Sequence, residues 1–326
     1  MQGKEASEQE TKANSNVGID VSKDWLDVHV LPADERLRVP NAGEGIRQLK
    51  RWLTCFDVAL VVVEATGKWH RPVQRSLAAS AIPVALVDPF RVRMFAKAQG
   101  ILAKTDRLDA RVLAMFAAVM TPSVRPPASQ ALADLAELVT ARTSAVEAQT
   151  ALKNQRAAAT VKFLQRQLHR RIERADKDIA ALHAAILKRI EADQGLARRY
   201  VILTSIPSFG FVTAVTLIAC LAELGSISAK QSGMLAGLAP IADQSGIRDG
   251  VRVIWGGRVR VRRILYLAAL TAARFNADLK AFYQRLTASG KPPKVATIAV
   301  ARKLVVLANI LINQDRIWQP QPPKHA

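Results

Sequence analysis

The chain is poor in several things, and each shortage excludes something. It has two cysteines in 326 residues, Cys55 and Cys220. They match no metal-ligand or disulfide spacing, so both read as buried, reduced thiols of the kind a cytoplasm keeps. Aromatic residues make up 5%, too few for a surface that stacks many bases in succession. Acidic residues number 27 against 47 basic ones, a formal net charge of +20. That balance suits a partner that is a polyanion and argues against a small-metabolite enzyme. Long apolar runs are missing too. Phe211–Leu221 is too short to span a bilayer, and Val295–Ile312 is interrupted by Arg302 and Lys303, so no membrane segment is expected. Met1–Asn16 is polar and charged, without the apolar core of a signal peptide.

Half of the residues are hydrophobic, enough for a real core and too many for wholesale disorder. The length suggests roughly two domains, at about 100–200 residues each. The basic excess is lopsided. Residues 1–120 carry 17 basic and 14 acidic side chains, residues 121–200 carry 14 and 8, and residues 201–326 carry 16 and 5. The electrostatic footprint for nucleic acid therefore lies toward the C-terminal half.

Residues 1–16 read as a disordered tail. Val17–Val21 and Leu26–Leu31 alternate like strands around the polar turn Ser22-Lys23-Asp24, a hairpin, and Arg36–Val39 adds a third strand. Gly43–Thr54 has helical periodicity. Val58–Val63 is the β-branched run of a strand buried on both faces. A helix over Trp69–Ala79, a strand over Ile82–Val87 and helices near Pro89–Ala98 and Asp106–Val119 complete a mixed α/β domain over 17–120. Thr121–Pro127 holds three prolines and reads as a linker. From Ser129 to about Ala192, apolar residues recur at helical spacing (Leu132, Leu135, Leu138; Ile172, Ile179, Leu182, Ile186, Ile190). A two-helix coiled-coil arm within 121–199 is the expectation, with a helical hairpin packed on its own domain as the alternative. A mostly helical domain spans 200–318, with 319–326 a tail. In it, Ile206–Gly210 before the apolar helix Phe211–Leu221 has the outline of a helix–hairpin–helix, although the stronger forms carry glycine where Ser208 stands.

Four acids carry the chemistry of the first domain. Asp20 ends one apolar strand, Glu64 ends another, and Asp106 and Asp109 lie three apart on one helix face. Taken singly, each is as readily a cap or a solvated turn residue. As an ordered set without bases among them, they call for a hard divalent cation, Mg²⁺ or Mn²⁺, and their order matches the RNase H-like nuclease fold. Lys104 and Arg107, beside the pair, are candidates to hold phosphate oxygens. In the second domain, Ala236-Gly237-Leu238-Ala239-Pro240 is followed by Ser245-Gly246. Arg248, Arg252, Arg258, Arg260, Arg262 and Arg263 then crowd a glycine-punctuated loop leading into an apolar helix over Ile264–Ala273. Such a loop suits phosphate. On chemistry alone, Ser245 is a turn residue more readily than a nucleophile, because no base stands near it in sequence.

These stretches together resemble an insertion-sequence transposase. Gly-Ile-Asp-Val-Ser-Lys, Glu-Ala-Thr-Gly, Lys-Thr-Asp-x-x-Asp-Ala, Ala-Gly-Leu-Ala-Pro and Trp-Gly-Gly-Arg-x-Arg-x-Arg-Arg occur in that order between Val17 and Trp318. The chain is similar to the DEDD transposases of insertion sequence family one hundred and ten, the bridge-RNA-guided recombinases. The resemblance implies a RuvC-like N-terminal domain with the tetrad Asp20, Glu64, Asp106 and Asp109. It further implies a coiled-coil arm and a C-terminal transposase domain whose catalytic serine is Ser245. The implied reaction is strand exchange on donor and target DNA, directed by a structured guide RNA. A homo-oligomer, dimer or tetramer, is expected through the arm. A metal-only, RuvC-like junction-resolving nuclease is the alternative, and it needs no Ser245. An actin-like or sugar-kinase ATPase lacks support, because Asp20-Val21-Ser22-Lys23 carries no glycine-rich phosphate loop. A non-catalytic nucleic-acid scaffold would leave the tetrad as incidental caps.

Overall fold

The computed structural model describes residues 14–319, apart from residues 66, 102–105, 242–243, 246–247 and 251. The chain divides after Ala128 into two compact units.

The first unit is a mixed sheet with helices on both faces. In chain order it holds β1 (Asn14–Val21), β2 (Trp25–Leu31), β3 (Glu35–Pro40), α1 (Gly43–Leu53), β4 (Asp57–Glu64), α2 (Arg71–Ala79), β5 (Val84–Val87), α3 (Pro89–Ala98) and α4 (Asp106–Met120). The strand order is β3-β2-β1-β4-β5. The hairpin strands β1, β2 and β3 are antiparallel, while β4 and β5 run parallel to β1 and to one another. This arrangement is consistent with the RNase H-like expectation.

Alternation sorts the side chains of each strand between two cores. Val17, Ile19, Val21, Leu26, Val28, Val61 and Val63 join Ile46 and Leu49 of α1 and Val73 and Leu77 of α2. On the opposite face, Leu60, Val62, Ala85 and Val87 pack with Val112, Leu113, Phe116 and Ala117 of α4. Pro89 starts α3 behind Asp88, whose carboxylate accepts from the Phe90 N–H at 2.8 Å, so the helix begins where its sequence says it must.

Two features of this unit differ from expectation. β1 starts at Asn14, not Val17, because Asn14 and Asn16 find partners in Asp57 and Leu31; residues 1–13 of the expected tail lie outside the described residues. Cys55 is exposed rather than buried, since it falls in the turn that leaves α1.

The second unit opens with α5 (Gln130–Ala158) and α6 (Lys162–Glu191). It continues with α7 (Gln194–Thr204), α8 (Phe211–Cys220), α9 (Ala229–Leu235), the short strands β6 (Pro240–Ile241), β7 (Gln244–Ser245), β8 (Arg248–Asp249) and β9 (Val253–Ile254), then α10 (Val259–Phe275), α11 (Ala277–Ala288) and α12 (Pro293–Asn313). Helices α5 and α6 are antiparallel neighbours. Asp134 meets Arg189 at 3.4 Å, the Gln149 amide donates to Asp176, and Arg156 stands 3.2 Å from His169. Along α6, Leu168, Ile172, Ala175, Ile179, Leu182 and Ile186 are spaced alternately four and three apart, a 3.5-residue period.

The base of this hairpin is not separate from the helices that follow. Leu135, Val139, Ile186 and Ile190 share one core with α7, α8, α10 and α12. The boundary expected at 200 therefore falls inside α7. Helix α12 is long and apolar enough, by length and composition, to cross a bilayer, but half of its apolar stretch is buried. Val300, Leu304, Val305, Ala308 and Leu311 are enclosed by the same core, which makes α12 its central helix.

Candidate active site

In the first unit three of the four acids singled out in the sequence stand toward one end of the sheet, two on neighbouring strands and one on the helix over them. Asp20 and Glu64 stand at the carboxyl ends of β1 and β4, parallel neighbours whose register runs through Gly18↔Val62 and Ile19↔Val63. By alternation both acids share the face of Gly18 and Val62, the face that α4 covers. Gly18 is the reason that α4 lies so close. A Cβ there would fall 2.1 Å from the Ala110 carbonyl oxygen, 2.4 Å from the Ala114 nitrogen and 2.7 Å from Leu113 Cβ. Asp109 is one helical turn before Leu113 and shares its side of α4. Asp20, Glu64 and Asp109 are all half-buried. Asp106 begins α4 and Arg107 follows it, with both side chains, and the whole of Lys104, outside the described residues.

Among the described residues, no three carboxylate, histidine or cysteine groups stand close enough together to hold a metal ion. In kind, the donors fit a hard divalent cation: they are oxygen ligands only, from two adjacent strand ends and the helix above them.

The structure adds residues that patterning missed. Asp27 is the register partner of Asp20 across the hairpin and shares its face. It is 8% exposed, with Arg38 Nε 3.7 Å from its carboxylate. Two residues along β2 on the same face is Trp25, with the Arg38 guanidinium 5.1 Å from its ring centre. Asn41 joins this hairpin to the segment after β4. Its amide donates to the Ser22 carbonyl at 2.9 Å and to the Trp69 carbonyl at 3.1 Å, while its own N–H donates to the Asp24 carbonyl at 2.9 Å. Trp69 carries the Lys68 ammonium 5.4 Å from its ring centre. The only sequence signal for Asp27 was a charge inside an apolar strand.

In the second unit, four short strands make two antiparallel pairs. β6 pairs with β9, and β7 pairs with β8 so that Ser245 and Arg248 are partners. The side chains of both lie outside the described residues. Two motifs distant in sequence meet here backbone to backbone. Gly237 and Gly257 both have positive φ, and a Cβ on Gly257 would lie 2.3 Å from the Gly237 nitrogen. The Arg258 N–H donates to the Leu235 carbonyl at 2.8 Å, and Arg262 donates to the Gly256 carbonyl at 2.8 Å.

The basic cluster is less uniform than its sequence. Helix α10 begins at Val259, so Arg260, Arg262 and Arg263 lie on a helix, not in the loop expected to precede Ile264. Gly256 and Gly257, both with positive φ, make the turn that allows this early start. Arg258 grips Glu223 with both arms of its fork, at 2.6 and 2.5 Å, and donates to the Cys220 carbonyl at 2.9 Å. The Glu223 hydrogen bonds raise its already high pKa further, against the opposing effect of burial. Arg258 and Arg262 thus hold the loop in shape. Arg260 reaches Thr140 at 2.9 Å and Arg263 reaches Glu147 at 3.4 Å, both on α5. Arg252 is exposed.

The Ser208 position also has its explanation. Ser208 lies between α7 and α8 with φ +81°, a conformation that favours glycine.

Comparisons with known proteins give the site a setting. Residues 17–164 match a family model of DEDD transposases of the IS110 type, and residues 200–284 match the transposase family IS116/IS110/IS902. The chain is 27% identical over 311 residues to the pilin gene-inverting protein of Moraxella bovis, covering 92% of this chain and 96% of that protein. It is similar to the same extent to the pilin gene-inverting protein of Moraxella lacunata.

Proposed function

The chain belongs to the IS116/IS110/IS902 family of transposases, enzymes that cut and rejoin DNA strands, and from that premise we propose how its residues divide the work. Asp20, Glu64, Asp106 and Asp109 would hold Mg²⁺ or Mn²⁺, which supplies Lewis-acid charge beside the scissile phosphate. The observation that carries this reading is that Asp20 and Glu64 stand at the carboxyl ends of β1 and β4, on the face covered by α4, the helix that carries Asp109. Lys104 and Arg107, where helix α4 begins, steady the phosphate.

Ser245 is the nucleophile. Its oxygen bonds to a DNA phosphorus, the bond from phosphorus to a sugar oxygen breaks, and that oxygen takes up a proton as the serine gives one up. A sugar hydroxyl then reverses the exchange and frees the serine. Bond energy is conserved, so rejoining needs no high-energy cofactor. The inversion of a pilin gene, for which the Moraxella relatives are named, demands such rejoining of cut strands. Arg248, Arg252, Arg260 and Arg263 neutralise DNA or RNA phosphates, while Arg258 and Arg262 keep the loop shaped for them.

A structured RNA from the element guides donor and target DNA by base pairing. The protein then reads charge and backbone shape rather than sequence. The basic, aromatic-poor composition supports this. The α5–α6 hairpin serves as a coiled-coil arm through which copies associate as a dimer or tetramer. DNA as substrate puts the enzyme in the bacterial cytoplasm.

The test uses purified protein, RNA transcribed from DNA flanking its gene, labelled element-junction DNA and Mg²⁺, run on a denaturing protein gel. A labelled band at protein mass is expected, lost in Ser245→Ala and in the absence of RNA. Cleaved DNA without an adduct, unchanged in Ser245→Ala, would mean a metal-only nuclease.

A further inference from the structure

We infer that Trp25 and Trp69 form a stacking clamp for an unpaired DNA base beside the carboxylate edge. Both residues are exposed, 42% for Trp25 and 37% for Trp69. Trp25 stands beside Asp20 across the hairpin, and Trp69 lies on the segment that leaves Glu64. Trp25 shares a face with Asp27, the register partner of Asp20, so it is a diagonal neighbour of Asp20 across the hairpin. Trp69 follows Glu64 by five residues, and its carbonyl and that of Ser22 are bound by one Asn41 amide.

The arrangement has the parts of a single-strand site. Each indole already carries one cation, Arg38 over Trp25 and Lys68 over Trp69. Arg38 is steadied from behind by Asp27 at 3.7 Å. The cations suit the phosphates of a strand, and the ring surface left open suits a base face. A paired base shows a protein only its edges, so stacking here requires a nucleotide lifted out of the duplex. Two rings serve one or two nucleotides. That agrees with a chain too poor in aromatics to track a long strand. The clamp rests on the proposed cleavage site only for which phosphate it adjoins. Its test is made without cleavage.

Full-length protein, free of divalent metal, is titrated into single-stranded DNA carrying 2-aminopurine, whose fluorescence falls on stacking. A duplex with the same base is the control. Wild type quenches the single strand. Trp25→Ala and Trp69→Ala are each expected to weaken that binding by about 5- to 150-fold and to reduce the quench. Trp→Phe at either position retains most of both. Trp→Leu, which keeps apolar bulk for folding, behaves as Ala. Wild-type quenching by the Trp25→Leu/Trp69→Leu double variant would overturn the clamp. So would equal loss on strand and duplex, which would signal a general defect, or quenching seen only with the ribose form of the strand. Asp20→Asn, assayed for cleavage in Mg²⁺, judges the metal site separately: it can fail while the clamp stands, and the reverse.

Discussion

Gly18→Ala tests whether the contact between β1 and α4 sets the carboxylate site. The added Cβ would stand 2.1 Å from the Ala110 carbonyl oxygen, where ordinary contact begins at 3.4 Å, so α4 must withdraw by about 1.3 Å. The clash is with helix backbone, which cannot swing aside as a side chain would. Overpacking of this kind costs about 1–3 kcal/mol. In a unit of this size that lowers the melting temperature by roughly 2–8 °C per kcal/mol. The same withdrawal carries Asp106 and Asp109 away from Asp20 and Glu64. A misplacement of about 1 Å costs on the order of 100-fold in rate. Activity is therefore expected to fall far more than stability. Thermal melting by circular dichroism and Mg²⁺-dependent cleavage of labelled DNA measure the two effects. Gly43→Ala is the control: its Cβ meets nothing nearer than an Arg47 side-chain nitrogen at 3.6 Å, so it is expected to be neutral or mildly stabilising. Gly18→Ala protein with unchanged melting and unchanged cleavage would refute the argument.

Three further outcomes are expected. Ser208→Gly relieves a left-handed backbone, φ +81°, and raises stability by about 1 kcal/mol, read as a higher melting temperature; a lower one would mean that the serine hydroxyl matters more than the strain. Glu223→Gln weakens the fork that Arg258 makes at the start of α10. Allowing for partial exposure, it costs about 1–2 kcal/mol in urea unfolding, and a variant as stable as wild type would reduce the pair to a surface contact. His29 is buried beneath α4, and desolvation lowers its pKa below the ordinary 6.5, despite the Asp34 carboxylate 3.0 Å away, which raises it; Arg36 and Arg111 add to the lowering. The native state keeps the ring neutral while the unfolded chain takes up a proton, so this contribution to stability is present above 6.5 and declines as pH falls below it. Urea midpoints measured across that window are expected to have a shallower slope in His29→Gln, and equal slopes would remove His29 as the cause.

Some elements were legible because their signals are local. The β-branched run before Glu64, the hairpin around Ser22 and the paired prolines that bound α4 from α5 each depend on a few adjacent residues. The long helices α5 and α6 were legible from the helical spacing of their apolar residues, but the base of their hairpin was not. Leu135 and Ile190 carry the same pattern whether they pack on one another or in a larger core. The arginines between 248 and 263 looked alike in sequence, yet Arg258 is committed to Glu223, 35 residues earlier, a partner that no pattern near Arg258 reveals. Cys55 looked buried because its neighbours are apolar, and a turn placed it outside.

The chain's order of motifs, its charge and its lack of aromatics by themselves determined a nucleic-acid enzyme with its acids on strand ends and one helix. Those follow from residue type and short-range periodicity, which tertiary packing does not alter. Tertiary structure alone decided that Asp27 stands opposite Asp20, and that Gly18 admits α4 against the sheet. It also brought the Gly237 and Gly257 turns together and led Asn41 to join the two tryptophan-bearing edges. Each of these is a contact between segments separated in sequence. Register, close approach and hydrogen-bond geometry come into being only when those segments pack.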